Sequence, residues 1–377
     1  MSGKSIARFA ALAAASAILI AGGGPGALAG PGNGWRITAV FGSAAKGELP
    51  GGLTVATGAA DAFSYWQCTQ CSVGTRDRNF IAHWNGRRWW RIALPAPMNY
   101  PRSLIAFNAS SASNLWALTD SGRAALWSGS SWALRSVPVW VLRRDRAGDL
   151  VASMSVVGRG DFWVFSQPQP SQPTLAAHYY RGIWHPVILP AVAFGAVVVS
   201  RTDIWAMGMT KKTWGTAKPV WVAMHWDGSA WHVLALPTVR IPAHGFVFYA
   251  MTATGPRDIW IGRTVCCGNA AGVRLLHWTG RWRVIAGPSG AVELSETEPD
   301  GAGGVWIAGI RGGSQQASQV FYHYGQGRWT WHAVPTRRGY TNVVAGLTWI
   351  PRTRSLWAAG FLERGSAEIG DIMKFGP

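Results

Sequence analysis

Acidic residues are scarce in this chain: 17 Asp and Glu stand against 35 Lys and Arg among 377 residues. General acid–base catalysis needs paired carboxylates in one pocket, so few side chains are spare for it. Charged residues of both signs make up only 14% of the sequence, while 48% is hydrophobic and 24 residues are Trp. That balance disfavours a helical bundle and suits short strands buried on both faces. Several motifs are missing outright: there is no Gly-x-Ser-x-Gly elbow, no phosphate-binding glycine loop and no dinucleotide fingerprint.

Long hydrophobic runs are absent as well. Phe9 to Ile20 has 12 residues, short of the roughly 20 that span a bilayer as a helix. Lys4 and Arg8 precede this run, and Ala27-Leu28-Ala29 follows it with small residues where a signal peptidase reads. Residues 1–29 are therefore expected to be a cleaved secretory signal. Residues 30–377 would then be one soluble, secreted domain without a transmembrane anchor, extracellular or associated with the cell surface. Removing Lys4 and Arg8 leaves 33 basic against 17 acidic residues, a balance of about +16 that suits anionic partners.

What the chain does have is a repeat of three motifs in fixed order. The first is a turn followed by an apolar-aromatic step, as in Asp203-Ile204-Trp205, with its aromatic residue at Phe63, Trp116, Trp163, Trp205, Trp260, Trp306 and Trp357. Successive copies lie 53, 47, 42, 55, 46 and 51 residues apart, the period of a four-stranded propeller blade. The second motif is His225-Trp226-Asp227-Gly228, with relatives at His83, Leu126, His178, His277 and His323. The third is a Trp just beyond it: Trp89, Trp132, Trp184, Trp231, Trp282 and Trp329.

Asp-Gly and Asn-Gly favour a two-residue type I′ hairpin, which would pair Trp226 with Ser229 and make Trp226 and Trp231 diagonal neighbours on one face. The third-motif strand ends at Pro95, Pro138, Pro190, Pro237, Pro288 or Pro335, residues that help stop further pairing at an outer edge. The strands ahead of the first motif, such as Val343 to Trp349, would be innermost.

The seventh copy lacks a third-motif strand, whereas Gly34-Trp35-Arg36-Ile37-Thr38-Ala39-Val40 reads as one with no blade before it. The expected fold is all-β: a seven-bladed propeller of four-stranded antiparallel blades, its ring closed when residues 35–40 complete the last blade. The motifs resemble the repeats of exported, Trp-rich bacterial β-propellers, and the resemblance covers nearly all the mature chain. It implies the fold and no particular activity. The sialidase Asp-box, Ser-x-Asp-x-Gly-x-x-Trp, is not matched by Ser200-Arg201-Thr202-Asp203-Ile204-Trp205.

Four cysteines in an exported chain are expected to pair. Cys68, Cys71, Cys266 and Cys267 follow the first-motif strand in blades one and five, so two local bridges are expected, with a pairing between the two loops as the alternative. The second-motif histidines would lie around the ring, too dispersed for one metal ion, and are expected to hydrogen-bond a neighbouring turn. No metal or other cofactor is expected. Glu293, Glu296, Glu298 and Asp300 form the one carboxylate cluster outside the repeat, read first as a solvated acidic loop. Basic clusters occur at Arg87-Arg88, at Arg143, Arg144 and Arg146, at Lys211 and Lys212, and at Arg337-Arg338. Of these, Arg143, Arg144, Arg146, Lys211 and Lys212 are the candidate binding residues, no residue is assigned as catalytic, and the chain reads as more a binder than an enzyme.

Export, the ring of repeats and the basic balance together favour a non-catalytic binding or interaction scaffold, engaging an anionic cell-surface polymer or a protein. The alternative is a carbohydrate-binding or carbohydrate-active propeller, glycosidase- or lyase-like, stacking sugars on Trp outside the motifs such as Trp140, Trp214 and Trp221. Nucleic acid is disfavoured, because dispersed basic clusters supply charge without a reading element.

Overall fold

A computed structural model describes residues 34–41, 48–68, 79–99, 104–119, 121–138, 140–141, 151–166, 175–213, 220–237, 246–266, 273–312 and 318–377. The expected signal at 1–29 lies outside them. The first strand, β1 (Trp35–Phe41), precedes blade one, which is β2 (Glu48–Gly58), β3 (Asp61–Cys68), β4 (Phe80–Trp84) and β5 (Trp89–Ala93). Blade two is β6 (Leu104–Ser111), β7 (Asn114–Thr119), β8 (Arg123–Trp127) and β9 (Trp132–Ser136). Blade three is β10 (Val151–Gly158), β11 (Asp161–Ser166), β12 (Leu175–Tyr180) and β13 (Ile183–Ile188). Blade four is β14 (Ala191–Ser200), β15 (Asp203–Thr210), β16 (Trp221–Trp226) and β17 (Trp231–Ala235). Blade five is β18 (Phe246–Gly255), β19 (Asp258–Cys266), β20 (Arg274–Trp278) and β21 (Trp282–Ala286). Blade six is β22 (Ala291–Pro299), β23 (Val305–Arg311), β24 (Ser318–Gly325) and β25 (Arg328–Ala333). Blade seven takes β26 (Thr341–Trp349), β27 (Leu356–Arg364) and β28 (Ala367–Phe375) from the C-terminal end.

Six blades are antiparallel sheets in chain order, and the seventh has the order β1-β28-β27-β26. The chain is thus a seven-bladed β-propeller whose N-terminal strand completes the last blade, with Trp35 opposite Phe375 and Phe41 opposite Gly370. The strands that open each blade lie at one edge of its sheet, as expected for innermost strands.

Residues 93–237 form one compact unit, holding blades two, three and four. Inside it Trp116 packs with Met154, Phe162 and Tyr179 of the following blade. Trp163 repeats the arrangement against Ile204 and Val222. A second unit holds blades five, six, seven and one. There Trp260 meets Leu294 and Ile307, Trp306 meets Leu347 and Met373, and Trp357 meets Ala56 and Trp66. The first-motif aromatics are therefore the joints between successive blades within each unit. Burying each one adds about 2–3 kcal/mol or more.

The second-motif hairpin differs from expectation. Trp226 pairs directly with Trp231, and His225 with His232, across a loop of four residues, Asp227 to Ala230. Asp227 Oδ1 accepts from the backbone N–H groups of Ser229 and Ala230, at 2.8 and 2.9 Å, which fixes the wider turn. Gly228 supplies the positive φ of 96° that this loop requires. Trp226 and Trp231 still share a face, their ring centroids 5.9 Å apart.

Candidate functional site

The motif carboxylates are occupied by histidine. Nε2 of His178, His225 and His277 lies 2.8 Å from Oδ1 of Asp161, Asp203 and Asp258 respectively. His83 meets Asp61 at 2.6 Å and His323 meets Asp300 at 2.9 Å. A carboxylate accepts, so Nε2 carries the proton in each pair. Each imidazole also stacks on its first-motif aromatic ring, as His277 does on Trp260 at 3.6 Å and 8°. The histidines are thus fixed to the turn of their own blade, the role expected of them. Burial pushes Asp258 up, but hydrogen bonds from His277, Thr254 and Trp260 outweigh it and hold the carboxyl below its ordinary value. Asp300 behaves likewise, with His323, Ala302 and Gly304 as its donors.

Asp300 accordingly does not belong to a solvated cluster with the glutamates. It is the turn residue of blade six, and it accepts from the N–H groups of Ala302 and Gly304 at 2.6 and 2.8 Å. The glutamates lie on β22, the opening strand of that blade. They keep some solvent contact. Even so, burial raises Glu293 and pushes Glu296 up to about 7. Glu298 rises to about 8 through burial, with Glu296 adding and the Trp349 N–H opposing. The Trp349 N–H donates to Glu298 Oε2 at 3.2 Å. Asn108 and Thr348 hold the equivalent position in blades two and seven, each opposite its motif Trp, and each accepts from the next blade in the same way: Val156 N–H at 3.3 Å and Ala56 N–H at 3.2 Å. Glu298 is therefore an interblade hydrogen-bond acceptor.

Two other carboxylates, Glu48 and Asp371, are internal. Glu48 is 2% exposed and receives both Arg91 guanidinium nitrogens, at 2.8 and 2.6 Å. Asp371 is fully buried and pushed up to about 7 by that burial, against a hydrogen bond from Asn342 and the charge of Arg337. Asp227 is held by its hairpin, where Ser229 and His232 lower its pKa. Among the described acidic side chains this leaves Glu363 and Glu368, which face each other across β27 and β28.

Cationic side chains are distributed differently. Antiparallel neighbours alternate direction, so the first-to-second and third-to-fourth strand turns share one end of each blade. Exposed arginines stand at that end. Blades three and four carry Arg159, Arg181 and Arg201 there, and blades five, six, seven and one carry Arg257, Arg281, Arg328, Arg352, Arg354, Arg87 and Arg88. Arg201 reaches down to Asp161 Oδ2 at 2.8 Å.

At the opposite end of blade four, Lys211 and Lys212 are exposed in a short 3₁₀ turn after β15. The other three expected binding residues, Arg143, Arg144 and Arg146, lie outside the described residues. Cys68 is buried at the end of β3, while the side chains of Cys71, Cys266 and Cys267 lie outside the described set. Trp140 packs against a blade core and Trp221 lies tilted against Phe194, their ring centroids 5.4 Å apart, whereas Trp214 is outside the described residues. Among the described residues no three His, Cys, Asp or Glu side chains form a metal-binding group, and no helix is long and apolar enough to cross a membrane. Trp331 lies two residues beyond a motif Trp, outside the repeat pattern, and is half exposed with the Arg311 guanidinium over its ring.

No protein-family model matches the chain, and no curated protein matches it. Solved propeller structures do. The structure "YCF48 bound to D1 peptide" aligns over 93% of this chain and 99% of its own, with a TM-score of 0.54 and 11% identity. The polysaccharide lyase Uly1 aligns over 84% of this chain and 88% of its own, at 0.51 and 10%. A six-bladed fucose-recognising lectin from Aleuria aurantia aligns over 78% and 98%, at 0.44 and 14%. At such identities the likeness is one of fold.

Proposed function

We propose that the protein is an exported, non-catalytic binding scaffold whose partner is anionic, an acidic cell-surface polymer or an acidic face of another protein. One observation carries this reading. Among the described residues most carboxylates are tied up in histidine pairs, an interblade bond or buried sites, while the arginines stand exposed at the tight turns and offer their charge to an anionic partner. Residues 1–29 act as the export signal in this reading, and the four cysteines pair after export. Changing Arg257, Arg281 and Arg328 together to Glu tests it: binding to an anionic wall polymer should fall at least tenfold, and undiminished binding overturns the role of this edge.

A second reading, a carbohydrate-active propeller, draws on Glu296 and Glu298, whose proton affinities suit acid–base work near neutral pH. The interblade bond of Glu298, shared in kind by Asn108 and Thr348, favours the scaffold instead. Turnover on a polysaccharide panel that disappears in Glu296→Gln would reverse that preference.

A further inference from the structure

The residue two positions beyond the third-motif Trp is Arg91, Leu134, Pro186, Val233 or Val284 in other blades, and Trp331 in blade six. Trp331 has no place in the repeat, and its side chain is 50% exposed. It pairs with Tyr322, while Arg311 pairs with Ser318, so strand alternation puts Arg311 and Trp331 on the same face of the sheet. The guanidinium carbon of Arg311 lies 4.5 Å from the indole centroid. Its Nε is shielded from solvent and has no hydrogen-bond partner. Tyr322 lies close enough to feel this cation, yet burial pushes the phenol up to about 12, so it stays neutral and does not offset the charge.

A half-exposed indole can pack against the C–H face of a pyranose ring. A guanidinium over an indole ring keeps N–H donors for a carboxylate and is only weakly hydrated, so little is lost when it pairs. We propose that Trp331 and Arg311 form a subsite for an acidic oligosaccharide: one sugar ring packs against the exposed part of the indole, and the carboxylate of that sugar or its neighbour accepts from Arg311. This rests on the anionic-partner reading and names the class of ligand.

Calorimetric titration with tetragalacturonate, beside neutral cellotetraose, tests the subsite. The native protein should bind the acidic tetrasaccharide at least about tenfold more tightly than the neutral one. Trp331→Ala and Arg311→Ala should each weaken binding about tenfold or more, with melting temperatures close to native, while Trp331→Phe, which keeps a ring, should stay within about threefold. Equal binding by native protein and Trp331→Ala, or equal binding of the two sugars, overturns the subsite. Native protein that holds an anionic wall polymer in low salt but ignores tetragalacturonate also overturns it and leaves the scaffold reading standing. Failure with both probes removes both.

Discussion

Trp35, at the start of the first strand, lies opposite Phe375 near the end of the last, their ring centroids 5.5 Å apart, and it stacks on Phe321 of blade six at 3.8 Å. One side chain thus ties the N-terminal strand to two blades. Trp35→Ala should cost about 3–5 kcal/mol, the usual toll for a buried Trp. Deleting residues 35–40 exposes the β28 edge as well, so that protein should melt far lower or aggregate. A thermal melt of each variant checks this, and native-like melting of the deletion would show that the last blade does without β1.

Arg91 covers Glu48 and also lies 4.1 Å from the Phe80 ring centroid. Removing it takes the partner from a buried carboxylate, but Arg91 is itself half exposed, so solvent screens the pair and the loss is about 1–3 kcal/mol. Arg91→Ala should therefore lose that much in chemical denaturation, and Arg91→Ala combined with Glu48→Gln should recover a large part of it. No recovery in the double variant would mean that Arg91 acts through packing alone.

Stability should pass through a maximum in mildly acidic solution. Asp258 and Asp300 are held low when folded, so their contribution is present above about pH 4 and lost as pH falls through their folded values. Glu296, Glu298 and Asp371 are raised to about 7, about 8 and about 7, so the folded state keeps protons that the unfolded chain has released. Their contribution is present at acid pH and is lost as pH climbs from about 4.5 through those values. Glu298→Gln keeps an oxygen for the Trp349 N–H and removes the titration. It should flatten the alkaline decline by on the order of 1–3 kcal/mol in melts between about pH 5 and pH 9. An unchanged slope would contradict burial as the cause.

Blade number and closure could be read from the sequence because each blade repeats its buried aromatic, and the strand missing at one end is present at the other. The hairpin register could not, because the side chain of Asp227 caps two backbone N–H groups and widens the Asp-Gly turn. The turn role of Asp300 is hidden in the sequence for a related reason: it precedes Trp306 by six residues rather than two, and only the fold of the Asp300–Gly304 loop returns it to His323. The site was less legible still. Arg257, Arg281 and Arg352 are unremarkable one at a time, and their shared position at the tight-turn end depends on strand direction. Trp331 was masked by its neighbour Trp329, which has the motif spacing.

Salt dependence of binding to a purified anionic wall polymer tests the central claim most directly. With arginines providing the contact, affinity should fall at least about tenfold between about 50 mM and 500 mM salt, as screening shortens the Debye length from roughly 13 Å to 4 Å. Tight binding that ignores salt, or no binding at the lower concentration, would contradict an arginine-faced scaffold.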